Sequence, residues 1–179
     1  MSRFAPLAVV FGLCAAAASA EDAKVKVKVG DAFPVVPLAA AQIDKAKPGA
    51  ETVSVADLKG KTVVVFFYPK ALTRGCTVES CGFRDIAKDF PADVVVLGAS
   101  ADDLPLQQKF IDAHKLPYPL LCDTDLKLIN ALGVANANGK TAKRVTFVVG
   151  KDGKVAKIYD TVDTAKHPKE VLEFVKTLK

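Results

Sequence analysis

Apolar and polar positions along this chain alternate in two rhythms. Val63-Val64-Val65-Phe66-Phe67 is a short unbroken apolar run, entered from Lys59-Gly60-Lys61 and stopped by Pro69. A run of that length without alternation is the mark of a strand buried on both faces, as in parallel sheets. Val94-Val95-Val96-Leu97-Gly98 repeats the pattern. Between them, Cys76 to Lys88 reads as a helix with Pro91 beyond its end, and Leu104 to His114 reads as a second, led by Asp102-Asp103 and Pro105. Tyr118 to Leu121 is a short strand candidate, and Leu126 to Leu132 a short helix stopped by Gly133. Val145–Val149 and Val155–Tyr159 flank Gly150-Lys151-Asp152-Gly153, which is a hairpin turn by composition. Pro168 to Leu178 closes the chain as a helix whose Val171, Leu172, Phe174, Val175 and Leu178 share one face. Near the start, Lys24 to Val29 alternates charge and apolar side chain, as a surface strand would. Lys45 to Glu51 is a polar loop around Pro48-Gly49.

The resulting order, β-α-β-α-β-α-β-β-α, predicts an α/β protein with a thioredoxin-like fold: a central mixed β-sheet flanked by helices. No internal repeat and no composition break divides it, so residues 21–179 are expected to form a single domain.

The first twenty residues fall outside that pattern. Arg3 precedes an uncharged apolar run from Phe4 to Ala18, and Ala18-Ser19-Ala20 places small residues where a signal peptidase cuts, ahead of Glu21-Asp22. Residues 1–20 therefore read as a signal peptide, and the mature chain as exported, either periplasmic or secreted. The run is too short for a comfortable membrane span, so no membrane association is expected after cleavage. The formal charge of +5 comes from scattered lysines without aromatic interleaving, which argues against a nucleic-acid partner. Of four cysteines, Cys14 leaves with the signal. Cys76, Cys81 and Cys122 remain, an odd number in a compartment where disulfides persist.

Chemistry concentrates at Cys76. It follows a buried strand and a loop, and it stands where a helix begins. Ligand sites of open α/β sheets gather at the carboxyl ends of strands. The free N–H groups and macrodipole of a helix's first turn favour an anion there, and Lys70 and Arg74 add positive charge. The thiolate is the nucleophilic form of cysteine, so this placement points to a reactive thiol and away from a packing cysteine. Thr73 supplies a hydroxyl donor nearby.

Cys81 lies five residues on. In a regular helix that offset separates the Cα atoms by about 8.7 Å, whereas disulfides ordinarily need about 6.8 Å or less. A Cys76–Cys81 bond therefore requires either local unwinding of the helix or a loop in its place.

Pro69, Thr73 and Cys76 match the Pro-x-x-x-Thr-x-x-Cys pattern of the peroxiredoxins, and Cys76-Thr77-Val78-Glu79-Ser80-Cys81-Gly82-Phe83-Arg84-Asp85 resembles the peroxiredoxin Q (bacterioferritin comigratory protein) subgroup. Leu58-Lys59-Gly60-Lys61, Pro119-Leu120-Leu121 and Arg144-Val145-Thr146-Phe147 are similar as well, so the likeness runs from about Gly30 to the C-terminus. The resemblance implies a thiol-dependent peroxidase of the atypical 2-Cys kind that reduces hydrogen peroxide and organic hydroperoxides. Cys76 would be the peroxidatic residue and pass through a sulfenic acid. Cys81 would be the resolving cysteine. Thr73 and Arg144 would bind the peroxide oxygens and activate the thiolate, Pro69 would shield the sulfenic acid, and Glu79 would orient the arginine. No cofactor or metal is implied. The implied partners are a peroxide and a thioredoxin-like or other thiol reductant, with a monomer expected because an intramolecular resolver needs no second subunit, and a dimer as the alternative. Four features depart from the subgroup: Arg74 stands where proline is common, the stretch Ala39 to Glu51 is longer and less regular than the usual entry, Cys122 is additional, and an export signal is unusual. Cys122 is expected to be a small buried residue, with a second resolving or mixed-disulfide role as the alternative.

Two rival readings use the same cysteines. A thioredoxin-like disulfide oxidoreductase would want Cys-x-x-Cys, usually after Trp, and neither is present. A copper or zinc protein could draw on Cys76, Cys81, His114 and His167, but Cys-x4-Cys lacks the usual ligand spacing, and both histidines are expected at the surface.

Overall fold

A computed structural model describes residues 24–178. The segment read as a signal peptide lies outside them. Six strands form one mixed sheet in the order β1-β4-β3-β2-β5-β6: β1 Ala39–Ala41, β2 Thr62–Phe67, β3 Val94–Ser100, β4 Leu120–Cys122, β5 Val145–Val149 and β6 Val155–Tyr159. β2, β3 and β4 run parallel, while β1, β5 and β6 are antiparallel to their neighbours. The helices are α1 Arg74–Asp85, α2 Leu104–His114, α3 Lys127–Leu132 and α4 His167–Thr177.

The unbroken apolar run of β2 is explained by cover on both faces. Val63, Val65 and Phe67 belong to a core shared with Ile129 and Leu132 of α3. Val64, Phe66 and Tyr68 belong to the opposite core, where Phe83 of α1, Phe110 of α2 and Val171 of α4 pack. Each fully buried side chain of this size contributes roughly 1.5–3 kcal/mol of transfer free energy, so the central strand is the best anchored element of the fold. Gly98 of β3 is needed for that packing: a Cβ there would lie 2.5 Å from Leu120 Cδ2 and 3.0 Å from Phe66 Cζ.

One expectation is corrected, and a second stretch gains elements ahead of its expected loop. Lys24 to Val29 is not a strand. It runs extended, but its Lys26 N–H donates to the Leu132 carbonyl at the end of α3 (2.8 Å), and no ladder forms along it. Gly133, the left-handed cap of α3 (φ +71°), admits this crossing, since a Cβ there would lie 2.5 Å from the Lys24 carbonyl oxygen. Second, the loop expected over Lys45 to Glu51 is preceded by β1 and a short 3-10 turn, Ile43–Lys45, neither of which the sequence pattern announces. Alanines carry little strand signal. β1 exists because it pairs with Leu120–Cys122 at the sheet edge.

Candidate active site

β2 delivers the chain to the carboxyl edge of the sheet, and the loop after it turns back into α1. The loop is held from β3. Asp102 Oδ2 accepts the Ala71 N–H (2.7 Å) and the Ser100 hydroxyl (2.8 Å). Leu72 takes the left-handed region (φ 61°), rarely adopted by a branched side chain, which redirects the backbone into the helix. Thr73 is the helix cap, with Arg74, Gly75 and Cys76 as the first three helical residues. The Thr77 N–H donates to the Thr73 carbonyl (2.8 Å) and makes the first full helical bond, so the Cys76 N–H remains among the free amides of the first turn. The helix thus begins two residues earlier than periodicity indicated, and Cys76 sits in its first turn as expected.

Cys76 is only 1% exposed. Its sulfur accepts a hydrogen bond from Arg144 Nη2 at 3.3 Å. Arg144 immediately precedes β5, the antiparallel neighbour of β2, and pairing of Phe67 with Val145 brings it alongside the β2 terminus. Its other terminal nitrogen, Nη1, donates to Glu79 Oε2 in an ion pair beneath α1. Glu79 is fully buried, and burial pushes its carboxyl up to about 7 against the opposing pull of Arg144. Its second oxygen, Oε1, has no partner. Gly75 permits the close approach: a Cβ there would stand 3.3 Å from Arg144 Nη2. A buried sulfur, a cation donating to it and a carboxylate fixing that cation form a site able to hold a thiolate and to stabilise negative charge developing on a bound oxygen.

The other predicted residues divide. Pro69 directly follows the buried Tyr68 at the end of β2 and is half-buried. Thr73 is exposed, and its hydroxyl donates to the Lys70 carbonyl (2.9 Å), so it braces the loop in this conformation. Cys81 is half-buried and lies in the same unbroken helix as Cys76; both thiols are free, as is that of Cys122. The helical turn separates the pair: five residues carry Cys81 about 140° around α1 from Cys76. Tyr118 fixes this region by donating to the Ser80 carbonyl (2.6 Å). Cys122 is buried in β4, and burial pushes its thiol up to about 11.

Both histidines were expected at the surface, and His167 overturns that. It is fully buried at the start of α4, its Nε2 2.8 Å from Thr146 Oγ1 and its ring edge-on to Phe83 and Tyr159. Burial, aided by the charge of Arg144, lowers its imidazole to about 4. Pro168 at the second helical position seats α4 against α1, which turns the preceding His167 inward. His114 is half-buried against Phe110 at the far end of α2. Among the described residues no group of three or more His, Cys, Asp or Glu could hold a metal ion, so the metal reading has no ligand set.

Asp102 is the functional residue that sequence reasoning missed. Its position before α2 read as helix-leading acid, a role that Asp103 fills by accepting the Leu106 N–H (3.0 Å). Glu79 had a readable signal: with Cys76, Ser80 and Phe83 it makes the one buried stripe of α1.

Comparison with known proteins decides the family, since residues 29–158 match the AhpC/TSA family over most of the chain. This chain is a peroxiredoxin. Its curated relatives include Peroxiredoxin Bcp of Bacillus subtilis, 38% identical over 135 residues that cover 72% of this chain and 86% of the relative. Peroxiredoxin Bcp of Escherichia coli is 37% identical over 133 residues, 70% and 85% of the two chains. Among solved structures, peroxidoxin BcpB from Mycobacterium tuberculosis superposes with a TM-score of 0.73 at 32% identity, covering 85% of this chain and 98% of that one. A cysteine-to-serine mutant of PrxQ from Xylella fastidiosa gives 0.74 at 25% identity, covering 83% and 95%. The peroxiredoxin assignment carries the thioredoxin-like fold with it, together with thiol-dependent peroxidase activity, a peroxide as substrate and a thiol as reductant.

Proposed function

We propose that this peroxiredoxin works through Cys76 and Cys81 within one chain. The Cys76 thiolate attacks the terminal oxygen of a hydroperoxide. The O–O bond breaks, the sulfur becomes a sulfenic acid, and the departing alkoxide or hydroxide takes a proton to leave as alcohol or water. Arg144 and Thr73 hold the peroxide oxygens, Glu79 keeps Arg144 in place, and Pro69 covers the oxidised sulfur. For Thr73 this requires its hydroxyl to leave the Lys70 carbonyl when peroxide binds. The Cys81 thiolate then attacks the Cys76 sulfur; an S–S bond forms, the S–O bond of the sulfenic acid breaks, and the departing hydroxide takes up a proton, such as the one the Cys81 thiol gave up, to leave as water. An external dithiol, thioredoxin or a protein like it, returns both cysteines to thiols.

The observation that carries this reading is the Arg144 donor 3.3 Å from the sulfur of a buried Cys76 in the first turn of a helix. Resolution requires α1 to open, because in a continuous helix the two Cα atoms stand about 8.7 Å apart, beyond disulfide reach. The reading extends to a monomer exported by residues 1–20.

Peptide mapping of the mature protein after one equivalent of peroxide tests it. A reversible Cys76–Cys81 disulfide is expected; a Cys76–Cys122 link would replace the resolver. Cys76→Ser should abolish peroxide consumption, and full activity in that variant overturns the assignment. Cys81→Ser should halt at the sulfenic acid or depend on an external thiol. Recovery of Cys81→Ser oxidised as a Cys76–Cys76 dimer would contradict the monomer. Mass measurement of the N-terminus from the native host tests cleavage before Glu21.

A further inference from the structure

The structure assigns a second binding site, for a small amphiphilic carboxylate, at the end of the sheet opposite Cys76. A cavity of about 410 Å³ lies there, within the range of about 300–1,000 Å³ typical of small-molecule pockets. Its floor is the amino-terminal half of β3, Val94 to Val96, and Phe90 and Tyr118 are among its walls. Lys45, Lys61 and Lys88 complete the lining, and no carboxylate takes part in it.

Three observations converge on the ligand class. First, none of these lysines has an ion-pair partner among the described residues, whereas the nearby Asp93 is already paired with Lys151 (2.8 Å). Three unpaired ammonium groups from separate segments, with no acid between them, call for an anion. Second, the floor and walls are apolar and aromatic, which calls for a hydrocarbon or aryl body behind that anion. Third, the strand edge in the floor is open. β4 pairs with β3 only from Gly98 onward. The Gly98 N–H donates to the Pro119 carbonyl (3.1 Å), so Val96, two residues earlier, faces the same side. The ladder cannot extend back to meet it, because Pro119 has no N–H to offer the Val96 carbonyl. On the same edge the Val96 N–H makes no bond to a loop carbonyl of the kind that Gly98 makes to Pro119, so it is the backbone donor open to a carboxylate oxygen.

Lysines also guard exposed strand edges against pairing with other chains. That role needs charged heads beside the edge. It does not need a concave apolar floor walled by two aromatic rings. Tyr118 joins this cavity to α1 through its bond to the Ser80 carbonyl, so an occupant buttresses the half of the helix that carries Cys81.

Decanoate below its micellar concentration is the probe, titrated calorimetrically into the reduced mature protein. One saturable equivalent is expected, with affinity that falls as salt rises. The variant Lys45→Ala/Lys61→Ala/Lys88→Ala should bind about tenfold more weakly, the scale of two or three exposed ion pairs. Uncharged 1-decanol should bind wild type equally poorly. Amide shift changes should centre on Phe90 and Val94 to Val96. Absence of saturable binding overturns the proposal. So does undiminished affinity in a triple variant with native circular dichroism, or shift changes confined to Arg144 and the first turn of α1. None of these readouts depends on peroxidase turnover.

Discussion

Arg144 Nη2 lies 3.3 Å from the sulfur of Cys76, across a sequence separation of 68 residues, while Nη1 of the same guanidinium holds the buried Glu79. One planar fork thus reaches the proposed nucleophile and its own counter-charge together. A lysine cannot do both, because its charge is a single point on a flexible stem. Arg144→Lys is therefore expected to lose peroxidase rate by about a hundredfold or more, on the scale of removing one preorganised donor from a charge-stabilising site. Stopped-flow single turnovers with hydrogen peroxide measure it, and a loss below threefold would leave Arg144 outside the chemistry.

On the proposed mechanism Glu79 acts through that arginine, with which it is paired, and touches no reacting atom. Glu79→Gln keeps the shape and removes the charge. The expected outcome is a drop in the rate of Cys76 oxidation of about ten- to a hundredfold, the worth of one charge-assisted hydrogen bond. The pH profile separates this from a packing effect. With its carboxyl near 7, wild type should gain rate as Glu79 ionises through that region, and the variant should lack this component.

His167 gives the protein an acid limb of its own. The imidazole is held neutral down to about 4 in the folded chain, whereas in the unfolded chain it gains a proton near 6.5. Between those values the unfolded state binds more protons, so this contribution to stability is complete above about 6.5 and is lost as pH falls towards 4. The integrated effect is on the order of 3 kcal/mol. Glu79 opposes it, since a carboxyl raised to about 7 loses stability as pH rises from the ordinary carboxylate range. Urea unfolding of His167→Phe across pH 4 to 7 should show a flatter acid limb than wild type; an unchanged slope would contradict a neutral buried imidazole.

Gly82 faces α4. A Cβ placed there would stand 2.8 Å from Pro168 Cγ, inside any tolerated contact. Alanine favours a helix interior by about 1 kcal/mol, yet the rigid proline ring leaves the methyl nowhere to go. Gly82→Ala should be destabilising by about 1–3 kcal/mol net. A raised melting temperature would show that α4 yields easily.

What the sequence disclosed, and what it hid, follows from the reach of each signal. Val63–Phe67 is legible because burial on both faces demands an unbroken apolar run. The bounds of α2 are legible because Asp103 and Pro105 are local helix-start chemistry, and its Leu104–His114 span is as expected. β1 was hidden because three alanines form a strand only through their pairing with β4. Lys24 to Val29 misled because alternation reports a half-buried extended segment, which crosses the end of α3 here without a ladder. At the site, Cys76 could be chosen from its own neighbourhood. Arg144 could not, since nothing local separates it from the other cations; it came from family resemblance, and its contact with the sulfur depends on β5 lying beside β2. His167 was misplaced for a like reason: its burial depends on Phe83 of α1 and Thr146 of β5, both distant in sequence.

The continuity of α1 from Arg74 to Asp85 carries one more consequence. On the reading proposed above, a newly formed sulfenic acid waits in a folded helix until that helix opens. During the wait a second peroxide can reach the same sulfur and carry it to the sulfinic acid, which ordinary thiols do not reverse. Two clocks therefore run against each other, one set by the fraying of a few helical turns and one by peroxide concentration. Bonds that steady those turns, such as Tyr118 to the Ser80 carbonyl, lengthen the first. The dose at which this enzyme inactivates itself is thus written into the mechanical stability of a twelve-residue helix.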